Sequence, residues 1–218
     1  MSAFRQIFDK EYAELLITPI NGNPIRDRKA GFGFIFDLID RRINSHSEYF
    51  NILETGSMRA DHGELNFSGD GCSTYIFNRF CSKQLLSRHF AFEINEDNAN
   101  YTASRLIEPK KTAIILGDSV REISRLHDEY VGNSLKFDLV YLDSFDVEKG
   151  NNHPSSLHHL MELLSVLPMC KKGTILAIDD HDAFFDGGKS GKAVYIKEYM
   201  DRIGVKPAFE GYQLIYIL

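Results

Sequence analysis

The sequence predicts an α/β protein. The expected core is a doubly wound, mostly parallel seven-stranded sheet with an antiparallel C-terminal strand pair, preceded by N-terminal helices. Three observations predict it. From residue 49 onward, five short apolar runs are each followed by a segment of helical period, the pattern of parallel strands joined by right-handed crossovers. Runs such as TILAI and DLVYL are apolar throughout rather than alternating, as in a sheet covered on both faces. The last two runs are separated by only Glu210-Gly211, too short for a crossover helix, so they pair antiparallel.

The elements follow in order. Residues 2–16 place Phe4, Ile7, Phe8, Tyr12, Leu15 and Leu16 on one face at helical spacing. TPINGNPIRDRKA, with its prolines and Asn-Gly, reads as a loop. Residues 31–44 return to helical period through Phe32, Ile35, Phe36, Ile39 and Ile43. The first strand is YFNIL (49–53), followed by a long polar loop and a helix over 73–86. HFAFEI, TAIIL, KFDLVYL and GTILAI are the next four strands, each with its helix, and PAF and YQLIYIL close the chain. This organisation divides the chain into an N-terminal helical segment, 1–48, and a sheet domain, 49–218. The aromatic helices of the first segment cap the substrate side, form a dimer contact, or pack on the sheet edge.

Composition narrows the function. The 218 residues carry 25 Lys+Arg against 31 Asp+Glu, a net charge of −6, which argues against a nucleic-acid binder needing clustered cations. No apolar run reaches eighteen residues, so no membrane span is expected, and the acid-bearing N-terminus does not read as a signal peptide. Three separated cysteines, Cys72, Cys81 and Cys170, fit a reducing, cytoplasmic setting better than a disulfide framework.

In a doubly wound sheet, ligands bind beyond the carboxyl ends of the strands. Those ends deliver Glu54, Thr55 and Gly56; Glu93; Gly117, Asp118 and Ser119; Asp143, Ser144 and Asp146; and Asp179, Asp180 and His181. Helix capping explains part of this acid content. Glu93, at the tip of the second strand, is placed to accept hydrogen bonds from a ribose diol, the alternative being a solvated loop acid. Asp118 opens a helix as its cap, which leaves its carboxylate or neighbouring backbone free to meet a base. If the fourth and fifth strands are neighbours, Asp143, Asp179 and Asp180 converge, and a hard divalent cation would relieve their repulsion. The alternative is one capping Asp and one solvated Asp. His181 and Asp146 are the candidate general bases. His153, His158 and His159 read as ordinary helix residues.

Other signatures fail. GGKSGK (187–192) lacks the glycine spacing of a phosphate-binding loop and does not follow the first strand. No GxGxxG follows YFNIL, and there is no G-x-S-x-G, H-E-x-x-H or C-x-x-C.

Taken together, ILETG, FAFEINEDN, GDS, FDLVYLDS and GTILAIDDHD resemble class I S-adenosylmethionine-dependent methyltransferases. More narrowly, they resemble the metal-dependent small-molecule O-methyltransferases of the sugar and natural-product branch. The resemblance covers roughly residues 49–218 and implies a Rossmann-like fold. It also implies that Glu54, Thr55, Gly56 and Asp143 line the cofactor, Glu93 holds the ribose, and Asp118 and Ser119 meet the adenine. Asp143, Asp179 and Asp180 would bind Mg²⁺ or a similar ion, and Asp146 or His181 would act as base. The chain departs from the family in its first loop, where the later glycines, Gly69 and Gly71, follow an insertion. That insertion either closes on the cofactor or folds over the site. The implied activity is methyl transfer to a small-molecule hydroxyl, by a monomer or a homodimer. Three rivals are a nicotinamide-dependent oxidoreductase on a similar sheet, a non-catalytic nucleoside-binding protein and a metal-free methyltransferase.

Overall fold

The computed structural model describes residues 3–20, 23–43, 49–130 and 135–218. Ser2, Asn44, the Asn21-Gly22 pair of the expected loop and the expected segment boundary at 48 lie outside these residues.

The chain opens with helix α1 (Ala3–Glu11), shorter than the expected 2–16, because a separate 3₁₀ turn takes Ala13–Leu16. Strands β1 (Ile17–Ile20) and β2 (Asn23–Asp27) then form an antiparallel ladder where a loop was expected. Pro19 and Pro24 hide this ladder from pattern reading, because proline removes a ladder donor and normally marks loops or edges. Helix α2 (Arg28–Ile43) follows directly.

The main sheet contains β3 (Phe50–Thr55), β4 (Ser87–Glu93), β5 (Thr112–Leu116), β6 (Phe137–Leu142), β7 (Cys170–Ile178), β8 (Phe209–Glu210) and β9 (Leu214–Ile217). Between them run α3 (Ser73–Lys83), α4 (Glu96–Arg105), α5 (Ser119–Tyr130), α6 (His153–Val166) and α7 (Val194–Arg202). The strand order is β5-β4-β3-β6-β7-β9-β8, parallel except at β9, which pairs antiparallel with both β7 and β8. This is the expected seven-stranded, doubly wound sheet with its antiparallel C-terminal pair. The order reverses between β3 and β6, where the chain opens a crevice at the strand ends.

Alternate strand residues feed two cores. On one face Ile52, Leu139, Tyr141, Ile175 and Ala177 pack with Phe4, Phe8, Phe32, Phe36 and Phe77. On the other, Leu53, Val140, Leu176 and Ile178 pack with Ile123, Leu163 and Ile196. The N-terminal aromatic residues are therefore core of the sheet domain. The Phe32 ring stacks on Tyr141 at 5.4 Å, and Phe4 meets Phe36 at 4.7 Å. Such contacts fix α1 and α2 across one sheet face and carry Arg28, the first residue of α2, to the carboxyl ends of the strands. Among the described residues, no helix is long and apolar enough to cross a membrane.

Candidate functional site

The crevice begins with one tight turn. Gly56 follows β3 at φ +83°, and its amide donates to the Phe92 carbonyl over 2.8 Å. A Cβ at Gly56 would lie 2.5 Å from the Asp143 carbonyl oxygen, so the two chain segments approach closely enough to require glycine. On either side of this turn open two connected cavities. The larger, about 560 Å³, is walled by Gly56, Glu93, Asp143, Asp146, Asp180 and Tyr212, among others. The smaller, about 170 Å³, is lined by Phe92, Gly117, Asp118, Ser119, Phe145 and His158. They share Gly56, Glu93, Ile94 and Ser144, so they form one groove across the ends of β4, β3 and β6.

Glu93 stands at the junction. It is 6% exposed, and its carboxylate accepts from Ser57 Oγ at 2.7 Å and from the Asn95 amide at 2.8 Å. One bond engages each oxygen, fixing the group while leaving lone pairs for a diol. Asp118 caps α5 by accepting the Arg121 amide at 3.0 Å, and it also lines the small cavity. Ser119 lines that cavity too, with its hydroxyl donated to Glu162 and 3.0 Å from His158 Nε2.

Glu162, on α6, is fully buried and ties the strand ends together. It accepts from Ser119, from Ser144 Oγ at 2.6 Å and from Thr55 Oγ1 at 3.0 Å. Burial opposes its ionisation, yet His158 and His159 together with Ser119 hold its carboxyl below the ordinary range. Thr55 is thus a buried strut behind the groove. Glu54 lies further from the groove. Neither it nor its partner His89 is exposed, and His89 Nε2 sits 3.0 Å from Glu54 Oε2 under the Phe77 ring. Glu54 and Thr55 line neither cavity, whereas Gly56 lines both.

β6 and β7 are adjacent, and their ends bring Asp143, Asp179 and Asp180 together, with one oxygen of each within 4.8 Å of the others. Two buried cations, which sequence reasoning missed, reach this cluster. Arg28 donates through Nε to Asp179 Oδ2 at 2.8 Å and through Nη2 to Asp180 Oδ1 at 3.2 Å. Lys192, 1% exposed, contacts Asp143 Oδ1 and lies 3.1 Å from Asp180 Oδ2. Tyr212, whose hydroxyl donates to Asp180, also carries the Arg28 guanidinium 4.9 Å above its ring. Burial raises the Asp143 carboxyl well above the usual range despite Lys192. Burial also works against the Asp180 carboxylate, but Lys192 and Arg28 outweigh it and hold its pKa down. Asp179 Oδ1 is buried without a hydrogen-bond partner. An all-oxygen donor set with one orphaned carboxylate oxygen suits a hard divalent cation.

The two candidate bases part company. Asp146 is exposed, lines the larger cavity and pairs with Arg59. His181 is 1% exposed and does not line the cavity. Its ring turns to Glu210, 3.4 Å away, and is crowded by Gly188. Burial lowers its pKa.

The insertion after β3 walls the groove through Ser57, Arg59, His62, Gly69 and Asp70. It is pinned by Met58 N to Thr102 Oγ1 (3.1 Å) and Ala60 N to Asn98 Oδ1 (3.0 Å). Of the residues that sequence reading missed, Lys192 sat in the GGKSGK run, whose glycines were the available signal. Arg28 sat in the basic RDRK run, with nothing local to mark it.

No family model matches the sequence, and no curated protein matches it. Solved structures share the fold. A Staphylococcus aureus protein assigned as a caffeoyl-CoA O-methyltransferase aligns with TM-score 0.58 at 18% identity, over 100% of this chain and 92% of that one. The apo structure of CalS11, a TDP-rhamnose 3′-O-methyltransferase of calicheamicin biosynthesis, aligns with TM-score 0.57 at 16% identity, over 98% and 92%. MycE, a methyltransferase of mycinamycin biosynthesis solved with Mg, SAH and mycinamycin VI, aligns with TM-score 0.54 at 15% identity over 82% of this chain. The chain spans 47% of the length of MycE. The fold implied by the sequence resemblance is the fold observed.

Proposed function

We propose that this chain transfers a methyl group from S-adenosylmethionine to a hydroxyl of a small molecule, with assistance from a divalent cation. The observation that carries the proposal is the continuity of the groove. Glu93, held by two hydrogen bonds, stands between a small pocket with apolar walls and a larger one walled by Asp143 and Asp180, on which the fully buried Asp179 converges.

In this reading Glu93 accepts the two ribose hydroxyls, and Phe92, Ile94 and Phe145 flank the adenine, with Asp118 and Ser119 at its edge. Gly56 lets the backbone approach the sulfonium side without a Cβ in the way. Asp143, Asp179 and Asp180 hold the cation, which when bound supplies Lewis-acid stabilisation to the acceptor oxygen. Asp146, facing the larger cavity, receives the hydroxyl proton. The walls then align the oxygen, methyl carbon and sulfur for in-line displacement. The likeness to sugar and natural-product methyltransferases favours an acceptor of that class. The reading also places the protein in the cytoplasm.

Incubation with S-adenosylmethionine and a panel of sugar nucleotides and phenols tests the proposal. Acceptor-dependent release of S-adenosylhomocysteine supports it. Tight NAD binding with no S-adenosylmethionine binding overturns it in favour of an oxidoreductase.

A further inference from the structure

The carboxylate cluster already contains two cations supplied by the chain. Three acids, Asp143, Asp179 and Asp180, face two bases, Arg28 and Lys192, which leaves one net negative charge when every group is counted in its ionised form. Arg28 grips Asp179 and Asp180 from the α2 side. Lys192 meets the other Asp180 oxygen, Oδ2, and bridges Asp143 and Asp180, two of the three carboxylates assigned to the metal. Without Lys192 the same groups would carry two net negative charges, the complement of a divalent ion. With both present, the ammonium and the ion would share oxygens of two carboxylates. Like charges about 4 Å apart repel by several kcal/mol even at an effective dielectric of ~20.

The local fold is built to deliver this lysine. Asp180 adopts φ +48°, and its carbonyl accepts the Lys192 amide at 3.2 Å. A Cβ at Gly191 would lie 1.8 Å from the His181 carbonyl oxygen, so only glycine lets the chain return this closely under the cluster. Ser156 Oγ donates to the Gly191 carbonyl at 2.9 Å and anchors the return to α6. A buried ammonium is costly unless paired, and these carboxylates are its partners.

We propose that Lys192 and a divalent cation are alternative occupants of the aspartate cluster. The ammonium holds Asp143 and Asp180 together in the metal-free protein and withdraws when the ion enters. This rests on the metal-assisted reading above, and it makes Lys192 a determinant of metal affinity rather than a passive structural cation.

The test uses Mn²⁺ as probe on the full chain, read by electron paramagnetic resonance, with S-adenosylhomocysteine titrated separately without metal. Lys192→Met is expected to bind Mn²⁺ about tenfold or more tightly than wild type. In wild type, reductive methylation mapped by mass spectrometry is expected to spare Lys192 without metal and to label it at saturating Mn²⁺. A merely structural lysine would stay protected in both states. If Lys192→Met does not fold, the labelling of wild type decides. Equal or weaker Mn²⁺ binding by a folded Lys192→Met, or continued protection of Lys192 in Mn²⁺-loaded protein, overturns the proposal. Mn²⁺ binding by neither protein overturns it together with metal assistance. The metal-free titration still reads the cofactor assignment on its own.

Discussion

Arg28 Nε donates to Asp179 Oδ2 over 2.8 Å, joining the first turn of α2 to the end of β7 across 151 residues of sequence. The contact makes the N-terminal segment part of the site as well as part of the core. Burial alone would disfavour the guanidinium, and Asp179 and Asp180 keep it charged.

Replacing Arg28 with Met should leave a fully buried Asp179 with neither oxygen paired by a cation. Breaking a buried pair in this way typically costs about 3–5 kcal/mol. Urea unfolding of the variant measures it, and a loss below about 1 kcal/mol would show that the pair does not hold α2 to the sheet.

Gly56 is the second point of stress. Alanine there must adopt φ +83° and place its Cβ 2.5 Å from a backbone oxygen that cannot swing away. We expect Gly56→Ala to lose about 1–3 kcal/mol of stability. It should also widen the β3–β6 turn and weaken S-adenosylhomocysteine binding. Thermal melts and calorimetry read the two effects, and unchanged values in both would contradict the close approach.

The expected fold was legible because its signals are local. TAIIL became β5 residue for residue, and the short gap after PAF correctly required an antiparallel pair, although Glu210 belongs to β8 and the turn is residues 211–213. The acid at each strand end was legible for the same reason. What was not legible depends on side-chain direction and distant partners. Glu54 and Glu93 both end apolar strands, yet one points into the sheet against His89 and the other into the groove. His181 and Asp180 are adjacent, and the left-handed backbone at Asp180 helps to send the histidine away from the cavity. Arg28 and Lys192 meet on the same aspartates although 164 residues separate them in the chain, which no window of sequence displays.

His159 gives a pH prediction. Burial on α6 lowers its pKa to about 4 from an ordinary 6.5. Between those values the unfolded chain binds more protons than the folded one, so stability falls as pH falls through this window. The contribution is about 3 kcal/mol once pH is below 4. Denaturant unfolding between pH 4 and 7 should show a shallower acid-side slope in His159→Gln than in wild type, and equal slopes would contradict the assignment.

The base assignment separates two residues. Asp146→Asn should lower kcat by roughly 10²-fold or more, with S-adenosylhomocysteine affinity nearly unchanged. His181→Asn, away from the cavity, should leave kcat within a few-fold and act on stability instead. Steady-state rates for the two variants check this, and the reverse ranking would move the base to His181.

The central claim is that the groove seats an adenosyl nucleoside with its ribose on Glu93. Isothermal titration of S-adenosylhomocysteine into wild type and Glu93→Gln tests it most directly. The account predicts one site per chain in wild type and roughly tenfold or greater weakening in the variant, the scale of a hydrogen bond to a charged group. No binding to wild type, or equal affinity in both proteins, would contradict it.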